Sequence, residues 1–477
     1  MSEWFARIIR SLRRHARMWT LVSTAVVIAV FSAGLLALAG DGHPMSVVDE
    51  HVHYDYVLRV LGGELPWRGA PYTQGLVDQW SCGVGHEAGS PYPCGDERFT
   101  VSTLPAGKYT SGYIHYPTYF IGAALFADFS AWVTGNTGLI ATISAVRIYS
   151  AILTIAGVIS CALFAWAIGM RTGRLIAATT VPVAASMIVL LGTLVNPGST
   201  AILAGSLIAG TGILWIVRGK GFLWFVIASA LASLVAVTDS LPVGGFLFLI
   251  AVTLVAERLG WRLEGSWRPR WWHFWVLVGT ILTPIIVWGQ YIRITATQPN
   301  KALFGFIAPT GKKDAIVGMV TEFVNLHTPW VESMGIWARP QTLVGRVLRA
   351  AATGMPLWIT VFVLGVLILV VLRIILRDGG VMSSALPPRA QARQRVLSPV
   401  YVLTAGTVGT LLLYPPALRL SNWLTFGFDF GIVGRYSIAL SPLLVLLVLS
   451  LFNRRPFGVL LAAMGVVGSL GVVAAAL

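Results

Sequence analysis

Apolar runs of about 18 or more residues recur from one end of the chain to the other, broken by short polar segments. A helix needs ~20 apolar residues to cross a bilayer core, and a window of that length finds about eleven such spans. Their expected bounds are 18–40, 146–169, 175–194, 200–217, 222–238, 241–256, 272–292, 353–372, 397–415, 437–452 and 457–477. Segment 117–134 is also apolar, but it is short and carries Asp128. An interfacial or re-entrant helix suits it better than a span. The pattern predicts an all-α integral membrane protein with a single polytopic domain over 1–477. Two long stretches between spans, 41–145 and 293–352, are expected to be structured outer loops, since loops of such length usually serve function.

Composition narrows the class. The 477 residues are 56% hydrophobic and only 11% charged, with a mean hydropathy of +0.77, where soluble domains are roughly a quarter charged. Soluble, disordered and fibrous readings are excluded. A net charge of +15 would alone suit a nucleic-acid binder, but its distribution points elsewhere. Arg7, Arg10, Arg13, Arg14 and Arg17 precede the first span. After that every second loop is basic: Arg171 and Arg174; Arg218 and Lys220; Arg258, Arg262, Arg268 and Arg270; Arg373, Arg377, Arg389, Arg393 and Arg395; Arg454 and Arg455.

The positive-inside rule places the N-terminus and these loops on the cytoplasmic side of the membrane. They hold 20 basic residues against Glu3, Glu257, Glu264 and Asp378, a balance of +16; the remaining 14 basic and 15 acidic residues balance at −1. The excess is thus an orientation signal and calls for no nucleic acid. The acids gather on the outer side, nine of them between residues 41 and 100, together with six of the eight histidines. Residues 7–17 followed by an apolar run and Ala37-Leu38-Ala39 imitate a cleavable signal, but the run of about 22 residues exceeds a signal h-region, so the helix is retained.

Cys82 and Cys94 share the first outer loop, and on the oxidising side a disulfide is expected. Cys161 lies within a span and reads as packing. Four polar clusters fall on the outer side. The first is Asp49-Glu50-His51-Val52-His53-Tyr54. If helical, it sets 49, 53 and 56 on one face and 50 and 54 on another. A carboxylate there can act as a general base, or simply favour a helix N-terminus. His51 and His53 with an acid make only a weak ligand pattern, and no metal site is assigned. The second cluster, Tyr113 to Phe120 with His115, Tyr116 and Pro117, suits either an interfacial aromatic belt or a lipid or sugar platform. The third, Val195-Asn196-Pro197-Gly198-Ser199-Thr200, reads first as a turn capped by Ser199 or Thr200; Asp239 reads as a similar cap. The fourth is Gly434-Arg435-Tyr436. An arginine beside the apolar core needs a partner, either a phosphate or a carboxylate such as Asp429 or a first-loop acid. Arg147 poses the same question.

Taken in order, the four clusters resemble a known set. Asp49-Glu50-x-x-His53-Tyr54 resembles the DEPAHF-type motif after the first span of GT-C glycosyltransferases and, more specifically, of an uncharacterised bacterial multi-pass family related to them. His115-Tyr116-Pro117-Thr118-Tyr119-Phe120 is similar to its HPPLYY segment, Val195-Asn196-Pro197-Gly198 to its VNND turn, and Gly434-Arg435-Tyr436 to its GRY element. The resemblance runs over about 41–440. His51 replaces a proline, Tyr116 and Thr118 depart from the second motif, and Pro197 and Gly198 replace an amide and an acid.

The resemblance implies a GT-C-like fold. It also implies an enzyme that moves a sugar from a polyprenyl-phosphate donor to an envelope glycan, lipid or protein acceptor on the extracytoplasmic side. Asp49 would be the general base, with Glu50 the second candidate or a residue that positions the acceptor. Arg435 would hold the donor phosphate. His53, Tyr54, His115, Tyr116, Asn196 and Tyr436 would line the substrate pocket. No resident cofactor is called for, and a divalent cation stays open. A transporter or flippase of a lipid-linked glycan is the alternative, but transporters place ionisable residues near the midplane, and here the span interiors are nearly free of them. A non-catalytic scaffold is a third class, which predicts no pocket joining Asp49 to Arg435.

Overall fold

The computed structural model describes residues 2–42, 45–46, 49–81, 98, 100–104, 108–260, 262–263, 267–298, 310–322, 327–330, 343–378, 396–427, 434–452 and 454–477. Cys82, Cys94 and Asp429 lie outside these residues, as do 379–395 and much of the second long loop.

The chain is an all-helical, multi-pass membrane protein. Among the described residues, nine helices are long and apolar enough to cross a bilayer: Met18–Gly40, Leu139–Ala167, Pro197–Arg218, Val237–Arg258, Trp271–Thr295, Arg349–Arg373, Pro399–Leu424, Gly434–Leu451 and Arg455–Ala476. They coincide with nine of the eleven expected spans. The other two are altered. Expected span 175–194 is a pair of helices, Gly173–Val183 and Ser186–Thr193, bent by 65°. The break follows Pro182, which cannot donate a helical hydrogen bond. Side chains far along the chain satisfy the freed carbonyls: Trp330 Nε1 donates to Val181 O at 2.9 Å, and Ser441 Oγ to Pro182 O at 3.4 Å. Irregular backbone at membrane depth is tolerated under such cover. Expected span 222–238 is the 14-residue helix Phe222–Val235, which stops where Ala236 turns extended (φ −156°).

For the site, the relevant elements are α1 (Ser2–Gly40), α2 (Glu50–Leu61), α3 (Gln74–Ser81), α4 (Thr118–Thr134) and α5 (Leu139–Ala167). After the bent pair α6 (Gly173–Thr180) and α7 (Ser186–Thr193) come α8 (Ala201–Arg218), α9 (Phe222–Val235), α10 (Leu241–Arg258) and α11 (Trp271–Thr295). The rest are α12 (Lys312–Glu322), α13 (Leu343–Asp378), α14 (Pro399–Phe426), α15 (Ser441–Leu451) and α16 (Arg455–Ala476). β pairing among the described residues is slight: a two-residue parallel contact, Arg262 with Val396 and Leu263 with Leu397, and a single antiparallel bridge, Pro71 with Tyr109.

Loops at the two ends of the bundle meet only their own kind where contacts are described. At one end Arg262–Leu263 meets Val396–Leu397, and Gly173 packs backbone-close on Gly458. At the other end the segments after α1, α7 and α9 and before α15 converge, as the hydrogen bonds below show. Segment 117–134 is the separate helix α4, which folds back through Gly135 (φ 68°) into α5. Its inner face buries Tyr119, Phe120, Ala123, Ala124 and Ala127, and its outer face exposes Leu125, Phe129, Trp132 and Val133.

Candidate functional site

Helix α2 is polar in sequence yet buried on nearly every side: Glu50, His51, His53, Tyr54, Asp55, Tyr56 and Arg59 are all buried. Buried polar groups must find partners, and these partners tie distant segments to it. Asp55 accepts from Thr73 N (2.7 Å), Thr73 Oγ1 (2.8 Å) and Arg59 Nε (3.1 Å), which pins the loop after α2 back onto the helix.

The two faces of α2 part as the helical period requires. Glu50 faces α5, where Arg147 Nε donates to Oε1 at 2.8 Å and Nη2 to Oε2 at 3.0 Å. Ser46 N adds a bond at 2.7 Å and Val195 N another at 3.0 Å. Both side chains of this pair are fully buried. Tyr54 lies on the same side and donates to Leu139 O at 3.3 Å; it too has no exposure, and burial raises its hydroxyl above the ordinary value against the opposing charge of Arg147. Glu50 and Tyr54 are therefore anchors inside the wall, with no surface open to a substrate.

Asp49 and His53 take the other face. Asp49 precedes the helix in the left-handed region (φ 59°, ψ 4°), where aspartate is among the few tolerated side chains. Its carbonyl accepts from His53 N at 3.0 Å, the first helical bond. Its carboxylate reaches Arg435, Oδ2 to Nη2, at 3.3 Å, with 53% of the Asp49 side chain and 18% of the Arg435 side chain exposed. Arg435 also lies over the Tyr436 ring, 5.4 Å from its centre. The segment that carries it, Gly434–Leu440, is seated by α8: a Cβ at Gly205 would lie 2.1 Å from Ala439 O, so only glycine permits this approach.

His53 Nδ1 bonds Val195 O at 3.0 Å and its Nε2 meets His115 Nε2 at 3.2 Å. Phe120 packs against both rings and is itself stacked on Tyr56 at 3.9 Å. Burial holds His53 well below the ordinary imidazole value, with the charges of His115 and Arg435 adding to the effect. Burial likewise pushes His115 down to about 4, with Asp49 opposing and Arg435 assisting. Both rings are thus neutral at pH 7. Because the unfolded chain takes up the His115 proton near the ordinary value of 6.5, the contribution of His115 to stability is complete above about pH 6.5 and is lost as pH falls to about 4; His53 acts in the same direction. Thermal unfolding in detergent should drop in temperature over that window, and His115→Gln should flatten the drop.

The Val195–Asn196 turn joins these parts. Val195 N goes to Glu50 and Val195 O to His53, while Asn196 N donates to Tyr119 Oη at 3.1 Å. Tyr119 is held in turn by Ser150 Oγ at 2.6 Å. Asn196 Oδ1 accepts from Gly198 N at 2.8 Å, so Asn196, rather than Ser199 or Thr200, caps the turn. Thr200 Oγ1 instead reaches Asp239 Oδ2 at 2.6 Å; Asp239 makes no helix cap and links α8 to α10. Tyr116 is half-buried, edge-on to Trp288 on α11 at 6.3 Å. The sequence alone missed Tyr119 and the Val195 peptide. Tyr119 belongs to the aromatic segment already noted, which was the one signal available.

A second polar cluster docks the later loop. Arg419 donates to Gly318 O at 2.9 Å and also reaches Glu322, which pairs with His327. Thr310 N bonds Gly427 O at the end of α14, and Trp423 Nε1 bonds Thr310 O, both at 3.1 Å. Among the described residues no group of three or more His, Cys, Asp or Glu side chains is placed to hold a metal ion.

No protein-family model matches the chain, and no curated protein matches it in sequence. Among solved structures it is similar to the crystal structure of ArnT from Cupriavidus metallidurans bound to undecaprenyl phosphate, with 13% sequence identity and a TM-score of 0.44. The likeness covers 92% of this chain and 61% of that one, so the chain spans about three fifths of the neighbour's length.

Proposed function

We propose that this protein is a membrane glycosyltransferase of the GT-C type. It would move a sugar, with inversion, from a polyprenyl-phosphate donor to an envelope glycan, lipid or protein on the extracytoplasmic side. The observation that carries this reading is the contact of Asp49 with Arg435, 386 positions apart in sequence yet 3.3 Å apart in space. It sets a partly exposed carboxylate beside a guanidinium at the mouth of a buried polar network. Asp49 removes the proton from the acceptor hydroxyl as its oxygen attacks the anomeric carbon. The carbon–oxygen bond to phosphate breaks, and Arg435 holds the phosphate oxygens as charge grows on them. A single displacement of this kind inverts the sugar.

In the resting site Arg435 is occupied by Asp49. Donor phosphate, a competing anion, draws the guanidinium away and leaves the carboxylate to the acceptor. Glu50 is the weaker candidate for the base, because its two oxygens already take four hydrogen bonds. We assign Glu50, Tyr54 and Asn196 to holding the site, and His53, His115, Tyr116 and Tyr436 to its lining.

The direct test presents purified protein in lipid with radiolabelled polyprenyl-phosphate sugars and follows transfer to envelope acceptors. Absence of transfer from every donor would refute the reading. Arg435→Ala should weaken donor binding about 10- to 100-fold, as expected for one charge-assisted bond worth ~1.5–3 kcal/mol. Unchanged donor affinity removes its phosphate role.

A further inference from the structure

We propose that His115, backed by His53, is a proton carrier for this transfer: it takes the acceptor's proton on from Asp49 and yields it to the departing lipid phosphate. The inference rests on the glycosyltransferase reading and adds a residue to its chemistry.

The order of protons in the histidine pair follows from one backbone atom. Val195 O can only accept, so the proton of His53 is on Nδ1. Neutral His53 then offers a lone pair at Nε2, and the 3.2 Å contact requires His115 to donate to it from its own Nε2. His115 is left with a lone pair on Nδ1, which makes no hydrogen bond among the described residues. His53 is therefore a fixed acceptor, and His115 a base whose tautomer is set in advance, much as a buried carboxylate sets the tautomer of a catalytic histidine.

The charges around His115 suit a transient proton. From the start of α2 it feels Asp49, from the Gly434–Leu440 segment Arg435, and from α2 itself His53. Phe120 of α4 faces it with an apolar ring, and the Val195 turn reaches only its partner His53. Arg435 disfavours a charged His115 in the resting site. A phosphate bound to Arg435 offsets that charge, and the dianion left after transfer favours the imidazolium further.

The step balances. The acceptor proton passes to Asp49 as the new glycosidic bond forms, and the electron pair of the broken bond stays on the phosphate oxygen. In the same step Asp49 passes a proton on to His115 Nδ1 and so stays a carboxylate. The same nitrogen then protonates the lipid phosphate, so the enzyme is restored without a co-reactant.

His115→Gln tests this, because a glutamine amide still donates to His53 but carries no titratable nitrogen. With radiolabelled polyprenyl-phosphate sugar as the probe, the variant should keep the donor KM while kcat falls about 10²-fold, the lower end for a lost proton-transfer group. Wild-type kcat in the variant overturns the carrier, and so does a fall in kcat matched by a rise in donor KM, since that marks a merely structural role. Should the variant not fold, wild-type protein in mixed H2O and D2O decides. A curved dependence of kcat on deuterium fraction, from more than one moving proton, supports the carrier, and a straight line overturns it. A wild type that transfers nothing overturns the glycosyltransferase reading itself.

Discussion

Asp49→Asn should fold, bind donor and turn over about 10²–10⁴-fold more slowly, the range for removal of a general base. Asparagine is isosteric with aspartate and tolerates the same left-handed backbone, so the φ of 59° imposes no new strain. Its amide oxygen can still accept from Arg435, which keeps the neighbourhood in place, but it takes up no proton. The sign of the second effect is also determined. Donor phosphate no longer competes with a carboxylate for Arg435, so donor binding should be unchanged or tighter while kcat collapses. Steady-state kinetics with donor titration reads both at once. Normal turnover in this variant would show that Asp49 is not the base. Asp49→Ala is the poorer test, because it puts an ordinary side chain into the left-handed region and mixes strain with chemistry.

Arg147→Met should cost about 3–5 kcal/mol of stability, the usual penalty for leaving one charge of a buried pair uncompensated. Glu50 would keep its bonds from Ser46 N and Val195 N and lose the cation that makes a buried carboxylate tolerable. The loss should reach the site, because Val195 also positions His53. Adding Glu50→Gln to this variant should recover part of the stability: a neutral amide oxygen still serves Val195 N, and no charge remains to desolvate. A Glu50→Leu partner should recover less, since it orphans two backbone donors. Unfolding midpoints in detergent rank the three. Wild-type stability for Arg147→Met would mean that the pair does not anchor α2.

Much of the fold was legible because the bilayer demands long apolar helices. What escaped the hydropathy window depended on partners far along the chain. Trp330 and Ser441 make the break at Pro182 affordable, and neither is near it in sequence. The site divides the same way. Charge parity brought four polar clusters to one end, and the helical period separated Asp49 and His53 from Glu50 and Tyr54. Which acid met which arginine was not legible, because Arg147 is buried within α5 and only packing of α2 on that helix tells that it takes Glu50. Tyr119 was hidden for a related reason. In sequence it looks like one more interfacial aromatic, and its role lies in a hydroxyl wedged between Ser150 and the backbone of Asn196.

The 386-residue separation of Asp49 and Arg435 has a consequence for biogenesis. A ribosome delivers Asp49 to the membrane surface long before the guanidinium that completes the site exists. On the proposed reading, a nascent chain would then hold a proton acceptor and no means of engaging a donor. Co-expressed halves, divided within residues 379–395, should each be silent and regain transfer only on meeting.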